Sequence, residues 1–217
     1  MHIPDGFLSA QTSLATWIVS LGGLQFCIRR TQQALKERMI PLMGVMSAFI
    51  FAAQMINFPV IGATSGHLLG AVLASILLGP YAAALIMFVV LAAQCLFFQD
   101  GGLTALGANV LNMSLLACFS GYGVYRGIRR IIKKSGGIIF ASSVAAWCSV
   151  VVASTATALE LSLSGISPLK IVLPAMVGIH VFIGIGEAVI TSFVLGFILK
   201  VRPDLIYGQG LTINNIR

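Results

Sequence analysis

Of the 217 residues, 58% are apolar and only 9% are charged, where a soluble domain carries roughly 25%, and the mean hydropathy of +1.00 excludes a soluble single domain. The 13 Lys and Arg against 6 Asp and Glu give a formal +7, but the basic residues sit in short clusters between apolar runs, as topology markers do on a membrane protein. At about 20 residues per spanning helix there is no room for a separate aqueous or ATPase domain, and no GxxxxGK[ST] phosphate loop is present.

The chain opens MHIPDGFLSAQTS, with an acid and no base. A cleaved leader needs a basic start, so none is expected and Met1 is expected to be retained. Charge-free apolar stretches then predict seven helices, at residues 11–28, 39–58, 63–78, 81–98, 103–125, 138–159 and 171–199. The reading is an all-α, seven-helix membrane bundle formed by residues 1–217 as a single polytopic domain. Twelve basic residues, Arg29, Arg30, Lys36, Arg38, Arg126, Arg129, Arg130, Lys133, Lys134, Lys200, Arg202 and Arg217, fall on one side of such a bundle. Only Lys170 faces the other, which predicts an external N-terminus and a cytoplasmic C-terminus. The outer loops carry Asp5, Asp100 and Glu160, either a weak attraction for cations or ordinary solvated acids.

The third stretch is short and opens GATSGHLLGAVLA. Gly66, Gly70 and Ala74 would share a helical face there, a spacing that permits close packing, and a Gly-interrupted helix also exposes backbone to a cavity. Neither reading accounts for His67 among the glycines. His67, His180 and Glu187 lie within apolar stretches and need partners. Asn57, Gln94, Asn109 and Asn112 add polar groups near helix ends. His180 and Glu187 are two helical turns apart, on one face of the last helix, within reach of Asn109 or of each other's neighbours. The four cysteines, Cys27, Cys95, Cys118 and Cys148, are far apart without a CxxC pair and read as buried hydrophobes.

His2 is set apart by its position. The free amine of Met1, the backbone nitrogen of His2 and its Nδ1 can close on one metal ion as fused five- and six-membered chelate rings. Planar nitrogen coordination of this kind suits Ni(II) or Cu(II), with Co(II) possible, better than Zn(II). One planar position stays open, and His67 could fill it. Any chain with a free Met-His start can chelate weakly, so the chemistry alone favours an ordinary terminus and leaves the chelate open. A bound ion would require the amine and imidazole to shed protons from near pH 8 and 6.5, and the amide to shed one more, so affinity should fall steeply below neutral pH.

MHIPDGFLS at the start, GHLLGAVLASILLGP around His67, Gln94 through the QDGG of 99–102, LGANVLNM at 106–113 and HVFIGIGEAVIT at 180–191 together resemble the NikM/CbiM family, nearly the whole chain in five ordered motifs. That family comprises the substrate-specific (S) components of energy-coupling factor (ECF) transporters for nickel and cobalt. The resemblance implies a seven-helix fold whose N-terminal segment, residues 1–10, tucks into the bundle from outside. It implies Met1, His2 and His67 as metal ligands. Separately from the resemblance, a ligating imidazole needs its other nitrogen oriented, and Asn109, His180 and Glu187 are the candidates for that. The resemblance also implies a transmembrane coupling protein of the NikQ/CbiQ type, cytoplasmic ATPases of the NikO/CbiO type and often a small NikN/CbiN or NikL-type subunit. The ion is then cargo, with no catalytic cofactor, and Pro4 and Asp5 favour nickel over cobalt.

Two alternatives use other chemistry. An intramembrane serine hydrolase would pair Ser65 with His180, although residues 62–66 read GATSG rather than GxSG. A vitamin-binding S component would keep the architecture and use aromatic and amide side chains in a larger pocket.

Overall fold

The computed structural model describes residues 1–35, 37, 39–60, 64–134 and 136–207, without the side chains of residues 58–60, 64 and 65. Lys36, Arg38, Arg217 and the side chain of Ser65 therefore lie outside the described residues. Helix α1 (Ala10–Ala34) starts where Ser9 Oγ accepts a hydrogen bond from Thr12 N at 3.2 Å, satisfying one of the unpaired first-turn N–H groups. Helix α2 spans Met39–Gln54, and a short antiparallel hairpin of β1 (Phe58–Val60) and β2 (Thr64–Gly66) follows, pairing Phe58 with Gly66. Then come α3 (Ala71–Leu78), α4 (Pro80–Phe98), α5 (Leu106–Val110), a π-helical turn over Leu111–Leu116, α6 (Ala117–Ile131), α7 (Gly136–Leu163) and α8 (Leu169–Val201). Because α5, the π-turn and α6 run on without a break, the described residues form seven helical rods.

The third rod departs from expectation. Its helix begins at Ala71 rather than near residue 63, because Phe58–Val60 and Thr64–Gly66 pair as strands. Pro59 biases Phe58 away from helical dihedrals, and Val60 and Thr64 are β-branched. Gly66 thus sits in a strand. Gly70 is the N-cap of α3, with φ +77°, and a Cβ there would come within 2.8 Å of Ile50 Cγ1. The three small residues do not form a helical packing face; Gly70 is needed for its left-handed backbone and its close approach to α2.

All eight residues of α3 are buried, and the helix packs against α2, α4, α6, α7 and α8. Such a helix, hydrophobic all round, is the centre of the bundle. The turn into α4 places Pro80 at the first helical position, where its missing N–H costs nothing. At the far end of α6 the Arg129 guanidinium donates to the carbonyls of Ile132 and Lys134 at 2.6 and 2.8 Å, closing the turn toward α7. Helices α7 and α8 form the most extensive pair. Three helices, α4, α7 and α8, are long and apolar enough to cross a membrane. Along α8, Phe182, Ile185, Val189, Phe193 and Phe197 are exposed at 48–77%, an apolar stripe suited to hydrocarbon rather than water.

Two of the three acids assigned to the outer loops have structural roles instead, and the third is both bonded and close to the N-terminus. Glu160 lies inside α7, buried, and accepts a 2.6 Å hydrogen bond from Asn112 Nδ2. The π-turn, which carries Asn112, is where that helix widens toward α7. Asp5 accepts from the backbone N–H of Leu103 and Thr104 at 3.1 and 2.7 Å. Asp100 accepts from Asn57 Nδ2 at 3.0 Å.

Candidate metal centre

The first three residues are buried, so the very start of the chain is part of the core. Its backbone is held from one side. Ile3 N donates to Asn109 Oδ1 at 2.8 Å, and Ile3 O accepts from Asn109 Nδ2 at 3.1 Å and Gly102 N at 2.9 Å. The loop carrying Gly101 and Gly102 lies so close that a Cβ on Gly102 would come 2.2 Å from Asp5 N. Any side chain there would lift the segment away, which accounts for the paired glycines of QDGG.

His67 is held from the other side. Gln54 Nε2 donates to Leu69 O at 2.8 Å, and the carboxylate of Glu187 takes the N–H groups of Leu69 and Gly70 at 2.8 and 2.6 Å, one on each oxygen. These N–H groups would otherwise be unsatisfied at the start of α3. His67 Nδ1 lies 2.6 Å from Leu68 O. A carbonyl can only accept, so Nδ1 carries the proton and Nε2 presents a lone pair. That Nε2 is buried and makes no hydrogen bond among the described residues.

The two halves meet at the rings of His2 and His67, whose centroids are 4.7 Å apart. His2 Nε2 is 3.1 Å from Gln94 Oε1, and its Nδ1 is 3.3 Å from Asp100 Oδ1. Burial drives the pKa of the Met1 amine from 8.0 down to about 4, partly offset by the charge of Asp100. Burial, reinforced by repulsion from the Met1 ammonium and opposed by the Gln94 contact, takes His2 down to about 3. Desolvation disfavours each cation, so both groups are neutral donors at neutral pH.

The structure brings Met1, His2 and His67 together. The orienting candidates act differently from expectation: Asn109 clamps the backbone of Ile3 and bonds to neither His180 nor Glu187, while Glu187 holds the loop behind His67. His180 Nδ1 lies 2.7 Å from Met176 O, one turn back on α8. Two contributors were not singled out for these roles, Gln94 against His2 and Gln54 against the His67 loop. Each is a buried amide inside an apolar run, the only local signal that exists for it. Among the described residues no group of three or more His, Cys, Asp or Glu side chains is arranged to hold a metal ion.

Residues 2–205 match the model of a family described as CbiM, cobalt uptake substrate-specific transmembrane region. The chain belongs to the CbiM family. It is 43% identical over 209 residues to a putative fused nickel transport protein NikMN of Archaeoglobus fulgidus, covering 95% of this chain and 68% of that one. It is 38% identical to a putative metal transport protein of Haloquadratum walsbyi, covering 96% and 94%, and 34% identical to the cobalt transport protein CbiM of Geobacter sulfurreducens, covering 97% and 63%. A crystal structure of a truncated transition metal transporter superposes with a TM-score of 0.86 at 35% identity, covering 92% of this chain and 99% of that one. As a CbiM-family chain it is a membrane protein of metal transport, not an enzyme, and its relatives include both nickel and cobalt transport proteins.

Proposed function

We propose that this chain is the substrate-binding S component of an ECF transporter that imports nickel, or cobalt, with the ion held in a plane by the Met1 amine, the deprotonated His2 amide, His2 Nδ1 and His67 Nε2. The observation that carries the reading is the burial of Met1 and His2 against a His67 whose tautomer leaves Nε2 open. A ligating imidazole needs its second nitrogen oriented by an acceptor. Leu68 O supplies this for His67, and Gln94 Oε1 for His2, whose Nε2–H would donate to it once Nδ1 takes the ion. With no preformed side-chain cage among the described residues, main-chain nitrogen supplies the missing donors. Deprotonating the amide lowers the net charge carried into the apolar core.

On this reading the N-terminus is external and the C-terminus cytoplasmic. The implied partners are a NikQ/CbiQ-type coupling protein, NikO/CbiO-type ATPases and a small NikN/CbiN- or NikL-type subunit. Nickel is favoured over cobalt by Pro4 and Asp5. A vitamin-binding reading would require a larger pocket lined by aromatic and amide groups at the place where these nitrogens converge.

The test is nickel titration of protein whose intact mass shows an unblocked Met1, followed by the d–d absorption of a planar complex. Acetylating or extending the terminus, and His67→Ala, should each weaken binding by at least about 100-fold, roughly 2.7 kcal/mol, with the helical content retained. Full affinity in an acetylated protein would refute the amine as a ligand.

A further inference from the structure

His180 is left unexplained by the four-nitrogen site. It is 0% exposed, its Nδ1 donates to Met176 O at 2.7 Å, and its Nε2 is buried with no hydrogen bond among the described residues. Such an atom is costly to bury and needs a reason to persist. His67 and His180 are the two imidazoles in this condition, each with Nδ1 spent on a carbonyl and Nε2 open. They also lie on facing elements: α8 packs against β2, which ends at Gly66 beside His67, and His180 shares the buried face of α8 with Glu187, whose carboxylate holds Leu69 and Gly70.

A planar d8 or d9 ion exchanges ligands associatively: a fifth donor must first bind along the axis before an in-plane bond lengthens. In water the solvent supplies that donor. In a site whose first three residues are buried, a side chain has to. We propose that His180 Nε2 is the entering ligand through which the ion is loaded into and released from the planar chelate. The proposal rests on the chelate reading above. In release, the His180 Nε2 lone pair forms an axial bond to give a five-coordinate ion. The bond to the His2 amide nitrogen then breaks, and as the chelate opens to solvent that nitrogen takes up one proton. His67 stays bound while the chelate opens. No electron is transferred, and loading is the same sequence reversed.

A residue that lowers this barrier speeds both directions and leaves the equilibrium unchanged, which sets it apart from a resting ligand or a merely structural side chain. The experiment uses the full chain with an unblocked N-terminus, loaded with nickel and mixed with excess EDTA, following decay of the planar absorption band. His180→Ala and His180→Gln should slow both decay and loading by about tenfold or more while affinity stays within about threefold. Millimolar imidazole should restore the rate in His180→Ala by entering the space left by the ring. If His180→Ala does not fold, His180→Gln carries the same test. Unchanged rates, or a loss of affinity matching the change in release, would overturn the proposal. A six-coordinate nickel spectrum in the unaltered protein would instead overturn the planar chelate itself, and with it the need for an entering ligand.

Discussion

Met1 controls how the candidate centre responds to acid. In the docked segment its amine has a pKa of about 4 and the His2 imidazole about 3, whereas free groups titrate near 8 and 6.5. The undocked segment therefore binds more protons throughout the interval between, so docking is strongest above pH 8 and weakens as pH falls through 8 toward 4. Metal binding should depend on pH in the same direction as reference values suggest, but less steeply. Since both side donors are already neutral when docked, only the amide must release a proton. The logarithm of nickel affinity should then rise about one unit per pH unit between pH 5.5 and 7.5, not the two or three units of a chelate assembled from free groups. Titrating affinity across that interval decides: a flat profile would remove the amidate from the site, and a steep one would mean that the empty segment is undocked.

At the scale of elements, the centre depends on two short stretches, 1–5 and 67–70, each anchored by a side chain from a distant helix. Glu187 is the stronger anchor, because each carboxylate oxygen takes one N–H. In Glu187→Gln one of those oxygens becomes an NH2 group facing an N–H donor. Nickel affinity should fall about 10- to 100-fold, the scale of outer-sphere losses, measured against an unchanged planar spectrum. The apolar runs made α4, α7 and α8 legible to within four residues at either end. The pairing of 58–60 with 64–66 was hidden because strand pairing inside a charge-free stretch looks like the start of another span. Likewise, chemistry and motif were enough to single out His2 and His67, which the fold places ring to ring. Asn109 could not be placed correctly, since its bond to Ile3 spans 106 residues and exists only once the terminus has folded inward.

For the whole molecule, the predicted orientation meets a structure in which three of seven rods satisfy the length and hydropathy of a span. Helix α1 extends to Ala34 and carries Arg29 and Arg30 in its last turns, while α2 has 16 residues. The rod count remains odd, which sends the two ends to opposite faces if every rod crosses. Gln11 and Lys134 are both exposed. In a background lacking the four native cysteines, Gln11→Cys should react with an impermeant maleimide applied outside cells and Lys134→Cys should not. The reverse labelling would invert the molecule.

The division of anchors around the centre also has a mechanical meaning. His2 and Ile3 belong to the side of Gln94, Gly102 and Asn109, and His67 through Gly70 belong to the side of Gln54 and Glu187. On the proposed reading, an ion bonded to both would act as a rivet, so that occupancy would stiffen the contact between the two sides. Hydrogen exchange at the amides of Ile3, Leu69 and Gly70 should slow together when nickel is added, and slow far less in His67→Ala, where the rivet has one head. A partner touching only the outer surface of the bundle would thus be able to tell cargo from no cargo by stiffness, without ever reaching the metal.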